Sequence, residues 1–128
     1  MKFLPLKWVA LLCLSGGLAQ NSTPPAQPVG DCDNAVTTAA MHACEGKRYE
    51  AAQRELNSAY QALMGHLDAA RKEKLRVAQR AWLRYRDANA DFQASLTEGG
   101  TLAPLLKIGS LTEMTKARTA ELKKEMTP

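Results

Sequence analysis

The residues with metal-binding or nucleophilic side chains are few, and three of them could be considered for a metal site: His42, Cys44 and His66. A structural zinc site needs four ligands at close spacing. The pair in the segment MHAC, with one distant histidine, does not supply that set. The sequence therefore predicts no metal site, and no other motif predicts a cofactor.

Glu45, Glu50 and Glu55 are the carboxylates that a hydrolase could use as general acid and base. General acid–base catalysis requires such groups to be held at the reacting atoms with suitably tuned pKa values. These glutamates fall at helix positions that are predicted to face solvent. The chain also lacks the Gly-x-Ser-x-Gly motif of a serine nucleophile. We therefore predict that the protein is not an enzyme and has no catalytic residues.

Three arginines recur at the i, i+4 and i+8 positions of a predicted helix: Arg76, Arg80 and Arg84. Asp87 and Asp91 interrupt this basic row, and Arg84 with Asp87 is predicted to form an exposed ion pair. The formal net charge is +4, and removal of residues 1–19 takes away two lysines and no acids, which leaves +2. The interrupted row indicates a solvated helix face. The small net charge predicts no nucleic-acid partner.

Residues 1–19 have the features of a secretory signal peptide, with the basic segment MKFLPLK before the apolar run WVALLCLSGGLA. The small residues at its end predict cleavage after Ala19. The run is too short for a membrane span. Membrane contact is expected only if Cys13 were lipidated, and Leu12 before it is not the small residue that a lipobox requires.

Residues 20–30, QNSTPPAQPVG, are rich in proline and polar residues, which is typical of a flexible tether. The folded domain is then predicted over residues 31–126. Export places this domain in the periplasm, the cell envelope or the extracellular space.

Cys32 and Cys44 remain once the signal peptide is removed. In an oxidising compartment an even pair of cysteines in a small domain indicates a disulfide. One straight helix would hold these two positions about 18 Å apart. A disulfide needs Cα atoms within about 7 Å. We therefore predict a turn between the two cysteines, around residues 34–37.

Apolar residues recur at helical spacings in three successive segments, and no strand pattern is present. The first helix follows Thr37 or Thr38 as N-cap and carries Met41, Cys44, Ala52, Leu56, Tyr60, Leu63 and Leu67. The second carries Leu75, Ala78, Trp82, Tyr85, Asn89, Phe92 and Leu96. The third starts near Pro104, after a turn at Gly99 and Gly100, and carries Leu105, Ile108, Leu111, Thr115, Arg118 and Leu122. Short connections predict an all-α fold: a small antiparallel three-helix bundle with one N-terminal disulfide.

On the second helix, the apolar stripe predicts that Trp82 and Tyr85 lie in the core. Because aromatic residues are also common interface anchors, the alternative is that they expose an edge for binding. Gln79 and Arg86 fall on the flank of that stripe. There the stem of Arg86 can cover the edge of the core while the guanidinium stays in water.

The order of these segments resembles the LprI-type lysozyme inhibitor family, in its N-terminal-domain form, over about residues 31–122. The similar segments are DC, MHAC, YEAAQRELNSAYQALMGHL, LRVAQRAWLRYRDA, GGTLAPLL and LTEMTKARTAEL. The motif residues, expected to be structural, are Leu56, Asn57, Tyr60, Gln79, Arg80, Trp82, Tyr85, Arg86 and Asp87. The family usually has a second cysteine pair, where this chain has Ala90 and Ser110. We therefore expect the last helix to fray more readily than in a relative with two disulfides.

The resemblance implies an exported helical binding protein that inhibits lysozyme by occluding the enzyme's cleft. The alternative is a non-enzymatic structural or interaction module of the cell envelope, so the partner is lysozyme or another envelope protein. An acidic inhibitor would be attracted to basic lysozymes, whereas this chain is slightly basic. Either the target is not a basic lysozyme, or local acidic groups form the contact, such as Glu45, Glu50, Glu55 and Asp68. The sequence does not assign the inhibitory surface.

Overall fold

The computed structural model describes residues 32–97 and 99–127, which contain three α-helices and no strand. The helices are α1 (Thr38–His66), α2 (Ala69–Ser95) and α3 (Ala103–Lys124). The all-α prediction is therefore confirmed. Within the described residues, no helix is both long enough and apolar enough to cross a membrane. The predicted signal peptide, residues 1–19, and the predicted tether, residues 20–30, lie outside the described residues.

Side-chain caps define the starts of α1 and α2. Thr37 Oγ1 accepts a hydrogen bond from the Ala40 amide at 3.1 Å, so Thr37 is the N-cap of α1. Asp68 Oδ1 accepts one from the Arg71 amide at 2.8 Å and caps α2. Each cap satisfies an amide that the first helical turn leaves without a partner. Only Leu67 and Asp68 connect the two helices, as expected for the segment HLDAAR.

The connection between α2 and α3 uses glycine and proline in different ways. α2 ends at Ser95 with Leu96 as its C-cap, so the glycines lie beyond the cap. Gly99 has a φ of 77°, a conformation that residues with a Cβ rarely adopt. Pro104 lies in the first turn of α3, where its missing N–H leaves no helical hydrogen bond unmade.

Cys32 and Cys44 form a disulfide with their Cα atoms 5.5 Å apart. The chain turns at residues 33–34 before α1 begins, which brings Cys32 back to the second turn of the helix. The predicted disulfide is confirmed, and a turn does lie between the two cysteines, at residues 33–34 instead of around residues 34–37. Cys44 is buried, so the bond fixes the segment before α1 to the interior of the domain.

α3 packs against both α1 and α2, which contact each other much less. In the contacts between α2 and α3, higher residue numbers on α2 pair with lower residue numbers on α3. Gln79 bonds Arg118, Asn89 bonds Ser110 at 3.2 Å, and Asp91 pairs with Lys107. The central apolar cluster joins α1 to α3 through Leu56, Ala59, Leu63 and Leu122. Because α3 separates much of α1 from α2, an open groove remains between these two helices.

Threonines occupy much of the buried face of α3. Thr112 and Thr119 each donate a hydrogen bond at 2.9 Å to the carbonyl four residues earlier, of Ile108 and Thr115 respectively. Thr115 Oγ1 is buried and has no hydrogen-bond partner among the described residues. Two of the three buried hydroxyls are therefore satisfied within the helix itself.

α2 is rotated from the orientation that its apolar stripe predicts. Tyr85 was predicted in the core but is 62 % exposed, and Phe92 is 58 % exposed. Arg86 was predicted to keep its guanidinium in water but is only 8 % exposed. The inward row instead runs through Leu75, Gln79, Trp82, Arg86 and Ala90. Both rows have helical spacing, and contacts with residues of the other helices select the one that contains Gln79 and Arg86.

Candidate functional site

The groove between α1 and α2, called here the α1–α2 groove, has a volume of about 380 Å³. It is lined by Gln53, Leu56, Asn57, Tyr60, Gln61, Arg76, Gln79, Arg80, Leu83 and Arg86. Six of the nine motif residues from the sequence are among them, drawn from both helices. The two parts of the motif therefore face each other across one groove.

Helical periodicity explains how each helix supplies its side of this groove. The lining residues of α1 follow the i, i+3, i+4, i+7, i+8 pattern, which places them on one helix face. Those of α2 begin with the same pattern at Arg76, Gln79, Arg80 and Leu83, and Arg86 follows one turn later. A groove with polar and apolar lining thus forms where these two helix faces meet beside the apolar cluster.

An arginine–aromatic cluster lies at the end of the groove where Arg86 is found. The Cζ atom of Arg86 lies 5.3 Å from the ring centroid of Trp82 and 5.8 Å from that of Tyr49. The Cζ atom of Arg118 lies 6.0 Å from the Trp82 centroid. These distances allow cation–π attraction. Because Tyr49 is on α1 and Arg118 is on α3, the cluster connects all three helices.

Polar partners fix both guanidinium groups of the cluster. Arg86 donates from Nε and Nη2 to Asp87 Oδ1, at 2.9 and 2.7 Å. Arg118 donates from Nε to Gln79 Oε1 at 3.1 Å and from Nη1 to Glu121 Oε2 at 2.8 Å. Asp87 therefore pairs with Arg86, and the ion pair predicted between Asp87 and Arg84 is not formed. A buried cation needs such partners because burial removes its water.

The rim of the groove is cationic. Arg76 Nη1 lies 3.2 Å from Glu73 Oε2, and Arg80 Nη2 lies 3.6 Å from Glu73 Oε1. The side chains of both arginines are about half exposed, so they can exchange this partner for another. Gln53, Asn57 and Gln61 on α1 add amide groups, so the described lining can bind polar or anionic groups.

The remaining motif residues lie outside the lining. Trp82 is partly buried and packs on the apolar cluster. Asp87 is exposed beside Arg86, and Tyr85 is exposed away from the groove. Arg118 was predicted on the inward row of the third helix, but its contact with Trp82 was not predicted. Tyr49 was not predicted as a member of this cluster; its helical spacing from Ala52 was its signal in the sequence.

The four acidic residues considered for a contact surface do not assemble. Glu45 pairs with Arg48, and Asp68 is occupied as the N-cap of α2 at the other end of α1. Glu50 and Glu55 are exposed on α1. Within residues 32–97 and 99–127, no three His, Cys, Asp or Glu side chains form a metal-binding group.

A second cavity, of about 450 Å³, lies beside the disulfide between α1 and α3. It is lined by Cys32, Ala35, Met41, Cys44, Glu45, Arg48, Leu105, Gly109 and Glu113. None of these is a motif residue, although the cavity has the larger volume.

At the far end of α2, the hydrogen bond and charge of Asp91 raise the pKa of Lys107, which ties α2 to α3 at the surface.

Comparison with known proteins gives one family and one relative. The family model described as lysozyme inhibitor LprI matches residues 31–122. A protein of Rhizobium meliloti (strain 1021), described as uncharacterized, is 38 % identical over 113 residues, which cover 78 % of this chain and 81 % of the relative. No solved structure matches the chain.

Proposed function

Because the chain belongs to the family of the lysozyme inhibitor LprI, we propose that it is an exported helical binding protein that inhibits a lysozyme by occluding its cleft. The family match carries this proposal, since it spans the disulfide, α1, α2 and nearly all of α3. We infer that the helices form an antiparallel bundle, supported by the paired contacts of α2 with α3. A rigid bundle suits an inhibitor because little conformational freedom is lost on binding.

We further propose that the rim of the α1–α2 groove contacts the enzyme. A glycosidase such as lysozyme places two carboxyl groups beside the bond that it cleaves. Guanidinium groups make strong, directional hydrogen bonds to carboxylates. Arg76 and Arg80 are the exposed cations of the groove and sit between motif residues of both helices. Their position supports a contact in which they approach the acidic centre of the cleft.

The first experiment measures lysis of bacterial cell walls by several lysozymes in the presence of the oxidised protein. We expect inhibition that saturates near one inhibitor per enzyme with at least one of them. If protein shown to be folded inhibits none, the inhibitor proposal is wrong and the envelope interaction module is favoured.

A matched pair of charge reversals tests the contact surface. Arg80→Glu should raise the inhibition constant at least about 10-fold, because it places a carboxylate against the carboxylates of the cleft. Arg48→Glu is the control, since Arg48 is also exposed and paired with a glutamate but lies by the disulfide. Both variants should keep the helical circular dichroism spectrum. Equal effects of the two changes would show that net charge, and not the groove, determines inhibition.

A further inference from the structure

α2 carries a second row of apolar residues that points away from the other helices. Its members are Val77, Ala81, Tyr85, Ala88, Phe92 and Leu96, all exposed. They are spaced by four, four, three, four and four residues, which makes one continuous stripe on a helix. We call it the α2 stripe. None of its members lines the α1–α2 groove.

The exposure of the α2 stripe is unusual for a protein surface. Its four large side chains are between 53 % and 62 % exposed. Single exposed apolar residues are normal. A contiguous row about 30 Å long marks an interaction surface.

The pattern of the α2 stripe is symmetric about a point between Arg86 and Asp87. Val77 lies as far before that point as Leu96 lies after it. Ala81 corresponds in the same way to Phe92, and Ala88 to Tyr85. A second copy of α2 laid antiparallel on the first would therefore place each aromatic ring against an alanine. Large side chains facing small ones are what close packing between two helices requires.

The charges beside the α2 stripe change sign close to the same point. Arg80 and Arg84 flank its first half, and Asp87 and Asp91 flank its second half. In an antiparallel pair of helices, the basic half of one copy lies beside the acidic half of the other. Arg84 has no ion pair with any described residue, and the side chains of Asp87 and Asp91 are 59 % and 63 % exposed. Asp87 pairs with Arg86 and Asp91 with Lys107 within one copy, but at this exposure water competes for both contacts, so the carboxylates can exchange partners with a second copy.

We propose that two copies of this chain associate through the α2 stripe in an antiparallel, two-fold arrangement. The same surface is used by both copies, which is the common form of a symmetric dimer. Tyr85 and Ala88 lie nearest the two-fold axis, and Val77 and Leu96 lie at the ends. The inference does not depend on lysozyme inhibition, because it rests on this stripe and its flanking charges.

Sedimentation equilibrium of the oxidised protein, expressed with its own N-terminal segment, tests the proposal from low to high micromolar concentration. We expect a monomer–dimer equilibrium. Ala88→Glu brings two like charges together at the axis and should raise the dissociation constant at least about 100-fold. Ala62→Glu is the matched control, an exposed alanine on α1, and should leave the constant unchanged.

A charge-reversal series tests the orientation of the two copies. Arg84→Glu should weaken the dimer about 5-fold, and adding Asp91→Arg should recover most of that loss because the signs are again complementary. Helical circular dichroism confirms that each variant is folded. A wild-type protein that stays monomeric would overturn the proposal, whether its own N-terminal segment covers the stripe or the stripe stays uncovered. So would a dimer that Ala88→Glu leaves intact.

Discussion

Several weak partners act together on the guanidinium of Arg86 in the interior. Two aromatic rings contact its guanidinium, and its only carboxylate partner among the described residues, Asp87, is largely exposed. An exposed carboxylate contributes little, since water competes for both groups. A partly desolvated cation on an aromatic face contributes more. Contacts with the rings of Tyr49 and Trp82, more than the ion pair, therefore account for its stability in the core.

We predict unequal effects when the two members of the Arg86–Asp87 pair are changed. Arg86→Ala should lower the free energy of unfolding by about 2–3 kcal/mol, through lost packing and cation–π contact. Asp87→Asn should cost about 1 kcal/mol or less. Urea denaturation followed by circular dichroism measures both. If the two losses were equal, the ion pair would be the dominant contact.

A second prediction at this scale concerns the unpaired hydroxyl of Thr115. Thr115→Val keeps the shape of the side chain and removes a buried oxygen without a partner, so it should stabilise the protein by about 1 kcal/mol. Thr119→Val is the control, because that hydroxyl donates to the Thr115 carbonyl and its loss should bring no comparable gain. Thermal denaturation compares the two. A destabilised Thr115→Val variant would indicate that this oxygen has a partner in solution.

Among the three elements, α3 makes the largest contribution to packing but has no covalent tie in the described chain. It contacts both other helices, and the disulfide fixes only the start of α1. Near the positions where the family usually has its second cysteine pair, Asn89 Nδ2 donates to Ser110 Oγ, and Ala90 is fully buried. A hydrogen bond and side-chain packing hold α3 to α2 at this place.

We predict that α3 exchanges its amide hydrogens faster than α2. Ala90→Cys combined with Ser110→Cys should form a disulfide, slow exchange in α3 and add roughly 3 kcal/mol of stability, since it closes a loop of about 20 residues. Free-thiol titration reports bond formation, and hydrogen exchange by NMR reports protection. The reduced form of the same variant is the control. Equal protection of α2 and α3 in the wild-type protein would contradict the expected fraying.

For the whole molecule, the charge balance limits which lysozymes it can attract over a distance. The domain without residues 1–19 has a net charge of +2, and its acidic residues are distributed over α1, α2 and α3. Long-range attraction acts on association rates and is screened by salt. Under the proposed function, a strongly basic lysozyme would therefore not be drawn to this protein over a distance, and the local contact would supply the affinity.

We predict faster association with an acidic or neutral lysozyme than with a strongly basic one. The difference should shrink as ionic strength rises, because salt screens the repulsion from a basic enzyme. Stopped-flow association at low and high salt measures this directly. Faster binding of the basic enzyme at low salt would point instead to a local acidic contact surface.

The sequence by itself was sufficient for the features that depend on neighbouring residues. The N-cap at Thr37, the short connection at Asp68, the turn containing Gly99 and the proline at the start of α3 follow from local backbone chemistry. The disulfide could be predicted because the redox compartment and the spacing of two cysteines constrain it.

Only the tertiary structure decided which face of α2 is buried and where the motif residues meet. α2 has two rows with helical spacing, and the more apolar row contains Tyr85 and Phe92. The buried row of α2 contains Arg86 because the rings of Tyr49 and Trp82 lie against its guanidinium. The same row contains Gln79 because Arg118 of α3 donates a hydrogen bond to it. Most of these contacts join residues far apart in the chain, so no local pattern encodes them. The same selection leaves the α2 stripe exposed and forms the α1–α2 groove.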